Sequence, residues 1–161
     1  MTLDLGLSPD RAPRVVLDTP VVVSALVFGG GAPSALRQAW QRGRCRPMVC
    51  KATLLDLQHQ LSRPQLGFTQ REQAGLLAEY LRFAGRVRVP EAADGEPIAF
   101  AQARLAHAGK AHAVVTAEAS LLGRPEGFPC PAITLDDFIA VLDDLRVRRH
   151  AMRAPTGTVA P

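Results

Sequence analysis

Cysteines, aromatic residues and long apolar runs are all scarce in this chain, and each scarcity excludes a class of protein. The three cysteines, Cys45, Cys50 and Cys130, are an odd number without a Cys-x-x-Cys pair. That disfavours a disulfide framework or a zinc knuckle and leaves buried thiols. Aromatic residues make up 5% of the chain, which argues against an aromatic-rich sandwich. No apolar run approaches the ~20 residues needed to cross a bilayer. The first residues, with Asp4 and Asp10 among them, lack the plan of a signal peptide. A cytoplasmic protein with no membrane partner is expected. No glycine-rich turn follows the first apolar run, where Thr19-Pro20 stands instead, so a flavodoxin-like or phosphatase-like enzyme is disfavoured.

What the chain does have suits helices packed on a sheet. Its 161 residues are 47% hydrophobic, enough for one core and one domain. Short apolar runs at Arg14–Asp18, Pro47–Cys50, Arg86–Val89, Ala113–Thr116 and Pro131–Thr134 read as strands. Helical patterns fall between them at 20–27, 33–41, 53–61, 69–84 and 97–108, and a last helix covers 135–145. Trp40 and Phe28 read as core. Alternating strands and helices predict a three-layer α/β/α fold with a central parallel sheet of five strands. Residues 1–12 are expected as a flexible leader, 13–145 as the domain and 146–161 as a disordered basic tail.

Charge is distributed unevenly. The net charge is +4, yet Arg146, Arg148, Arg149 and Arg153 supply all of the excess. Between Asp18 and Asp56 lie five cations, Arg37, Arg42, Arg44, Arg46 and Lys51, and no acid. Such a density favours a polyanion, and this segment is expected to flank the functional cleft and bind nucleic acid.

Three carboxylates fall where strands end or the following helices begin: Asp18, Asp56 and Glu118. In open parallel sheets the ligand crevice lies outside the strands' carboxyl ends, so the three are expected to converge in one cleft there. Clustered carboxylates repel one another and usually serve a hard divalent cation, which implies Mg2+ or Mn2+. Phosphodiester hydrolysis is the natural use of such a centre.

The residues also resemble a known family. Leu17-Asp18-Thr19-Pro20-Val21 followed by Gly29-Gly30-Gly31 looks like the opening of PIN-domain proteins. Leu54-Leu55-Asp56-Leu57, Val114-Val115-Thr116-Ala117-Glu118 and Ile133-Thr134-Leu135-Asp136-Asp137 continue the likeness in the family's order, over residues 13–142. The resemblance implies a metal-dependent ribonuclease acting on single-stranded RNA. It also implies the role of toxin beside a cognate antitoxin protein, and a homodimer paired through helices. It assigns Asp18, Asp56 and Glu118 to catalysis and metal binding, with Thr19, Thr116 and His112 in support.

The sequence departs from the family's pattern at several of these places. Pro20 stands where the family's Asp-Thr-Asn opening has asparagine. The family's helical glutamate is Asp56 here, and its aspartate after the Val-Thr strand is Glu118. The family's Asp-Pro-x-Asp stretch falls on Glu96-Pro97-Ile98-Ala99, so alanine occupies a ligand position. Glu96 helps bind the metal in that alignment, whereas a shifted one lets Asp94 serve at the cost of a longer loop. An incomplete acidic site implies weak activity, and the alternative is an inactive PIN-like domain that binds RNA or protein.

Overall fold

The computed structural model describes residues 5–91 and 93–154. The chain runs β1 (Arg14–Leu17), α1 (Thr19–Val27), α2 (Gly31–Gln41), β2 (Arg46–Val49), α3 (Lys51–Leu61), α4 (Gln70–Leu81), β3 (Gly85–Arg86), α5 (Ile98–Ala108), β4 (Ala113–Val115), β5 (Ala132–Ile133) and α6 (Leu135–Arg153). Short 3-10 turns sit at Pro64–Leu66 and Ala119–Leu121. All the strands are parallel, in the order β3-β2-β1-β4-β5. The order reverses at β1, where β2 lies on one side and β4 on the other. That reversal opens a crevice at the carboxyl ends of β1 and β4.

Alternation along the strands builds two apolar layers. Val15 and Leu17 of β1, Ala113 and Val115 of β4 and Ile133 of β5 face one side, against α1, α2, α3, α4 and α6. Val16, Val114 and Ala132 face the other, against Leu105 and Ala106 of α5. A period of two on strands covered on both faces produces near-continuous apolar runs. The expected three-layer α/β/α fold with a parallel five-stranded sheet is therefore the observed one. Among the described residues no single helix is long and apolar enough to cross a membrane.

Three expectations change. Of the run Arg86–Val89 only Arg86 belongs to the strand, with Gly85 before it and the N–H of Val87 making a last bond to Val49, because β2 ends at Val49 and Cys50 already begins α3 as its N-cap. Arg88 and Val89 then have no neighbouring backbone to pair with. Phe28 is 61% exposed, since it caps the end of α1 while Ala25 and Leu26 fill the core positions. Trp40 is buried as expected, edge-on to Tyr80 with ring centroids 5.0 Å apart.

The third concerns the basic tail. Helix α6 does not stop at Leu145 but continues to Arg153, with Val141, Leu142 and Leu145 buried. Arg149 Nε donates to the carbonyl of Pro9 at 2.8 Å, tying the helix to the segment before β1. Leu5 also packs on the core, so the leader is partly anchored. Residues 1–4 and 155–161, which belong to the expected leader and tail, lie outside the described residues.

Candidate active site

Asp18 follows β1 at the point where the strand order reverses. Its backbone N–H donates to Val115 of β4 at 2.9 Å, which fixes it on the sheet, and its extended backbone caps α1. Oδ1 accepts from the backbone N–H of Thr19 at 3.0 Å and from Gln102 Nε2 at 2.8 Å, while Oδ2 accepts from Thr116 Oγ1 at 2.8 Å. Three donors on one carboxylate hold the side chain still, and one of them is the first N–H of α1. Pro20 is tolerated next to it because the first turn of a helix leaves its N–H groups without intrahelical partners.

The other expected residues are reached from Asp18 through its neighbours. Thr19 Oγ1 donates to Asp56 Oδ2, which also accepts from Gln60 Nε2 at 3.3 Å. Thr116 Oγ1, besides serving Asp18, accepts from the backbone N–H of Glu118 at 3.0 Å. Glu118 itself is exposed, and its Oε1 accepts from Ser120 at 3.1 Å within its own turn. Thr19 and Thr116 thus connect three carboxylate-bearing segments at the C-terminal edge of the sheet.

Gln102 is the residue that sequence reasoning missed. It is 2% exposed on α5, and a buried amide needs a partner. A glutamine at the centre of the apolar run Ile98–Ala108 was the available signal. It lies one turn beyond Ala99, so the two share a helix face, and the amide occupies the space in front of Asp18 where alanine at 99 leaves no carboxylate.

The remaining candidates stand elsewhere. Glu96 is drawn to Arg104, whose guanidinium donates to it at 2.7 Å through NH1 and again through NH2. The hydrogen bond from Arg104 holds the Glu96 carboxyl below its ordinary value. Asp94 is exposed and makes no hydrogen bond or ion pair among the described residues. His112 precedes β4, at the opposite edge of the sheet from Asp18, and its Nδ1 accepts from the backbone N–H of Arg14 at 3.0 Å. It therefore holds strands together rather than contacting the site.

Burial, with Arg14 nearby, pushes the His112 pKa below 6.5. The folded protein favours the neutral ring, so the unfolded chain binds the extra proton first as pH falls. Stability is expected to drop as pH falls through 6.5 and to level off below the folded value. His112→Asn, which keeps an acceptor near the Nδ1 position, should flatten that slope in thermal melts recorded from neutral to mildly acidic pH.

The basic segment does not flank Asp18. Arg42, Arg44 and Arg46 precede or begin β2, whose Arg46 pairs with Arg14 at the start of β1, so they lie at the N-terminal edge. Arg37 is paired with Glu79 at 3.1 Å. Lys51 alone of the five follows a strand's carboxyl end, and it pairs with Glu91 at 2.8 Å in full exposure, an arrangement that contributes little. A groove of about 1110 Å³ between α3, α4 and the segment after β3 is lined by Leu54, Leu55, Leu77, Leu81, Val87 and Val89. Asp18, Asp56 and Glu118 do not line it.

The oxygen donors at this edge suit a hard cation in kind but not in arrangement. Among the described residues no three His, Cys, Asp or Glu side chains lie close enough to hold a metal ion. Asp18 gives its oxygens to protein donors, Asp56 is engaged by Thr19 and Gln60, and Glu118 turns to Ser120. The residues present therefore do not form a cage for Mg2+ or Mn2+.

Comparison with known proteins accounts for the scaffold. A search of curated proteins finds no match to the chain. The chain is similar in structure to the crystal structure of PAE2754 from Pyrobaculum aerophilum, with a TM-score of 0.55 and 15% identity over 89% of this chain and 99% of that one. At that identity the likeness bears on the fold alone. The family model described as PIN domain matches residues 14–120, from the first residue of β1 through the turn that holds Glu118 and Ser120. PIN domains are in general nucleases. With the matched segment covering most of the chain and carrying Asp18, Asp56 and Glu118 in order, this protein belongs to the PIN-domain family.

Proposed function

We propose that this chain acts on RNA as a slow endoribonuclease, in the role of a cytoplasmic toxin restrained by a cognate antitoxin protein. The observation that carries the reading is the pair Asp18 and Asp56, joined through Thr19 at the carboxyl edge where the strand order reverses. Two acids in that crevice are what a phosphodiester-cleaving centre of this family needs first. Slowness follows from what is missing: Ala99 offers no oxygen, Glu96 is held by Arg104, and Gln102 already occupies Asp18.

A second reading, a PIN fold that binds RNA or protein without cutting, is favoured by the Gln102 hydrogen bond itself. Cleavage of a single-stranded RNA oligonucleotide in EDTA, Mg2+ and Mn2+ separates the two. We expect slow cleavage that needs millimolar Mn2+, enough to displace Gln102 from Asp18, and that Asp18→Asn abolishes, because Mn2+ tolerates a looser oxygen set than Mg2+. Ala99→Asp should raise the rate roughly 10–100-fold, the order by which single residues around a metal centre change activity. Efficient Mg2+-dependent cleavage by the wild type would overturn the account of an incomplete site, and no cleavage under any condition, even by Ala99→Asp, would favour the silent fold.

A further inference from the structure

At the edge of the sheet opposite Asp18, the C-terminal half of α6 and the residues before β1 and β2 enclose a pocket of about 220 Å³. Arg44, Arg146, Arg149, His150 and Arg153 line it, over a floor that includes Leu142 and Leu145. The spacing 146, 149, 153 puts three arginines on one helix face. With a rise of about 1.5 Å per residue they form a row about 10 Å long.

Two of the cations are held in place by backbone carbonyls, Arg149 by a carbonyl alone and Arg44 by one together with the exposed Asp143. Arg149 Nε donates to Pro9 at 2.8 Å, and Arg44 NH2 donates to the carbonyl of Leu142 at 3.2 Å. Each keeps further N–H donors for a ligand, and a pinned guanidinium loses little freedom on binding. The side chains of Arg146 and Arg153 make no hydrogen bond or ion pair among the described residues. The acid beside them is Asp143, 59% exposed and 3.4 Å from Arg44. Asp144 is taken by Arg148. Favourable contact with the C-terminal end of the helix dipole accounts for cations in the last turn, but not for two arginines pinned toward a shared hollow.

We propose that this pocket seats a phosphate of a nucleic-acid strand, making the N-terminal edge of the sheet the RNA-docking surface of the protein. The assignment rests on the RNA-directed reading above and adds cations gathered around one hollow, whereas at the Asp18 edge Arg104 and Lys51 are neutralised by glutamates and the exposed Arg86 and Arg88 stand at the end of β3 along the apolar groove. A polymer rather than a lone phosphate fits because the positive surface continues past the pocket. Arg42 and Arg46 are exposed in the same edge segment that carries Arg44. The forked guanidinium matches phosphate oxygens two at a time. Most of the arginines come from α6, which lies beyond the segment matched by the family model.

The test is fluorescence anisotropy of a labelled single-stranded RNA with the full chain, as a function of salt, for wild type, Arg146→Gln/Arg153→Gln and Arg71→Gln on α4. The double variant should bind roughly 10-fold more weakly, with a salt slope shallower by about 0.7 for each lost phosphate contact, while Arg71→Gln matches wild type. Unchanged thermal midpoints show that the variants are folded. Wild-type binding that the double variant retains would overturn the pocket but leave the RNA-directed reading standing. No wild-type binding even at low salt would overturn both. Displacement of the RNA by polyglutamate at equal charge would assign the surface to an acidic protein instead, and also overturn the proposal.

Discussion

Asp18→Ala is expected to unfold at a temperature roughly 10 °C below the wild type, at 2–4 °C for each kcal/mol in a chain of this size. The loss has three parts. Removing an N-cap carboxylate costs about 0.5–2 kcal/mol. Gln102 and Thr116, 2% and 1% exposed, then keep buried donors without an acceptor, at about 1–3 kcal/mol each. The donors can turn partly toward other acceptors, so a total of about 3–5 kcal/mol is expected. Asp18→Asn, which retains one acceptor oxygen, should lose about 1 kcal/mol. The sign is informative. In an acidic cluster maintained for a cation, deleting one carboxylate relieves repulsion and raises the stability of the metal-free protein. A stabilised Asp18→Ala would show that Asp18 is not the centre of a hydrogen-bonded network.

Gln102→Glu should produce the other large effect, and reverse it with metal. The new carboxylate would stand about where an amide now lies 2.8 Å from Asp18. Two carboxylates that close do not both ionise, so one keeps its proton and its pKa rises by several units. At neutral pH that amounts to about 2–4 kcal/mol of lost stability, at about 1.4 kcal/mol per unit. A carboxyl whose folded pKa is raised is least costly below its unfolded value and becomes costly as pH climbs through it. Melts of Gln102→Glu should therefore approach the wild type in acid and fall away toward neutral pH. Mn2+ should restore the loss, by about 2.7 kcal/mol at a hundredfold excess over the dissociation constant. A variant with neither the pH dependence nor the rescue would place residue 102 away from Asp18 in solution.

Most of the fold was legible because its determinants are local and repeated. Apolar runs with β-branched residues at Val15, Val16, Val114 and Val115, bounded by Asp18 and Thr116, announce buried parallel strands, and the helices between them carry their own stops. What was not legible depends on neighbours. Whether Arg88 and Val89 join a sheet is decided by Cys50 turning the adjacent strand into a helix. Whether Arg146–Arg153 stays helical depends on contacts such as that of Arg149 with Pro9, 140 residues earlier in the chain.

The candidate site divides in the same way. Asp18, Thr19 and Thr116 stand together at one edge because a strand's end fixes their direction. The ion pair of Glu96 with Arg104 and the backbone bond of His112 to Arg14, which turn both side chains to other partners, are invisible in a linear spacing. The basic segment was put on the wrong edge because its charge was read without asking which end of β2 it approaches. Gln102 escaped because glutamine carries no charge, and an isolated polar residue in a helical run reads as a solvent-facing position unless the layer covering it is known.

The central claim is that an amide, rather than a cation, satisfies Asp18 in the resting protein. The side-chain amide signal of Gln102 in nitrogen–proton correlation spectra, followed through an Mn2+ titration, reports on it directly. The account predicts amide protons that exchange slowly with solvent and stay sharp at sub-millimolar Mn2+, at levels that already stabilise Gln102→Glu. Selective broadening of that signal in the wild type at those sub-millimolar levels, lost in Asp18→Asn, would mean that the ion displaces Gln102 as readily as it fills a cage built for it, and would contradict the claim.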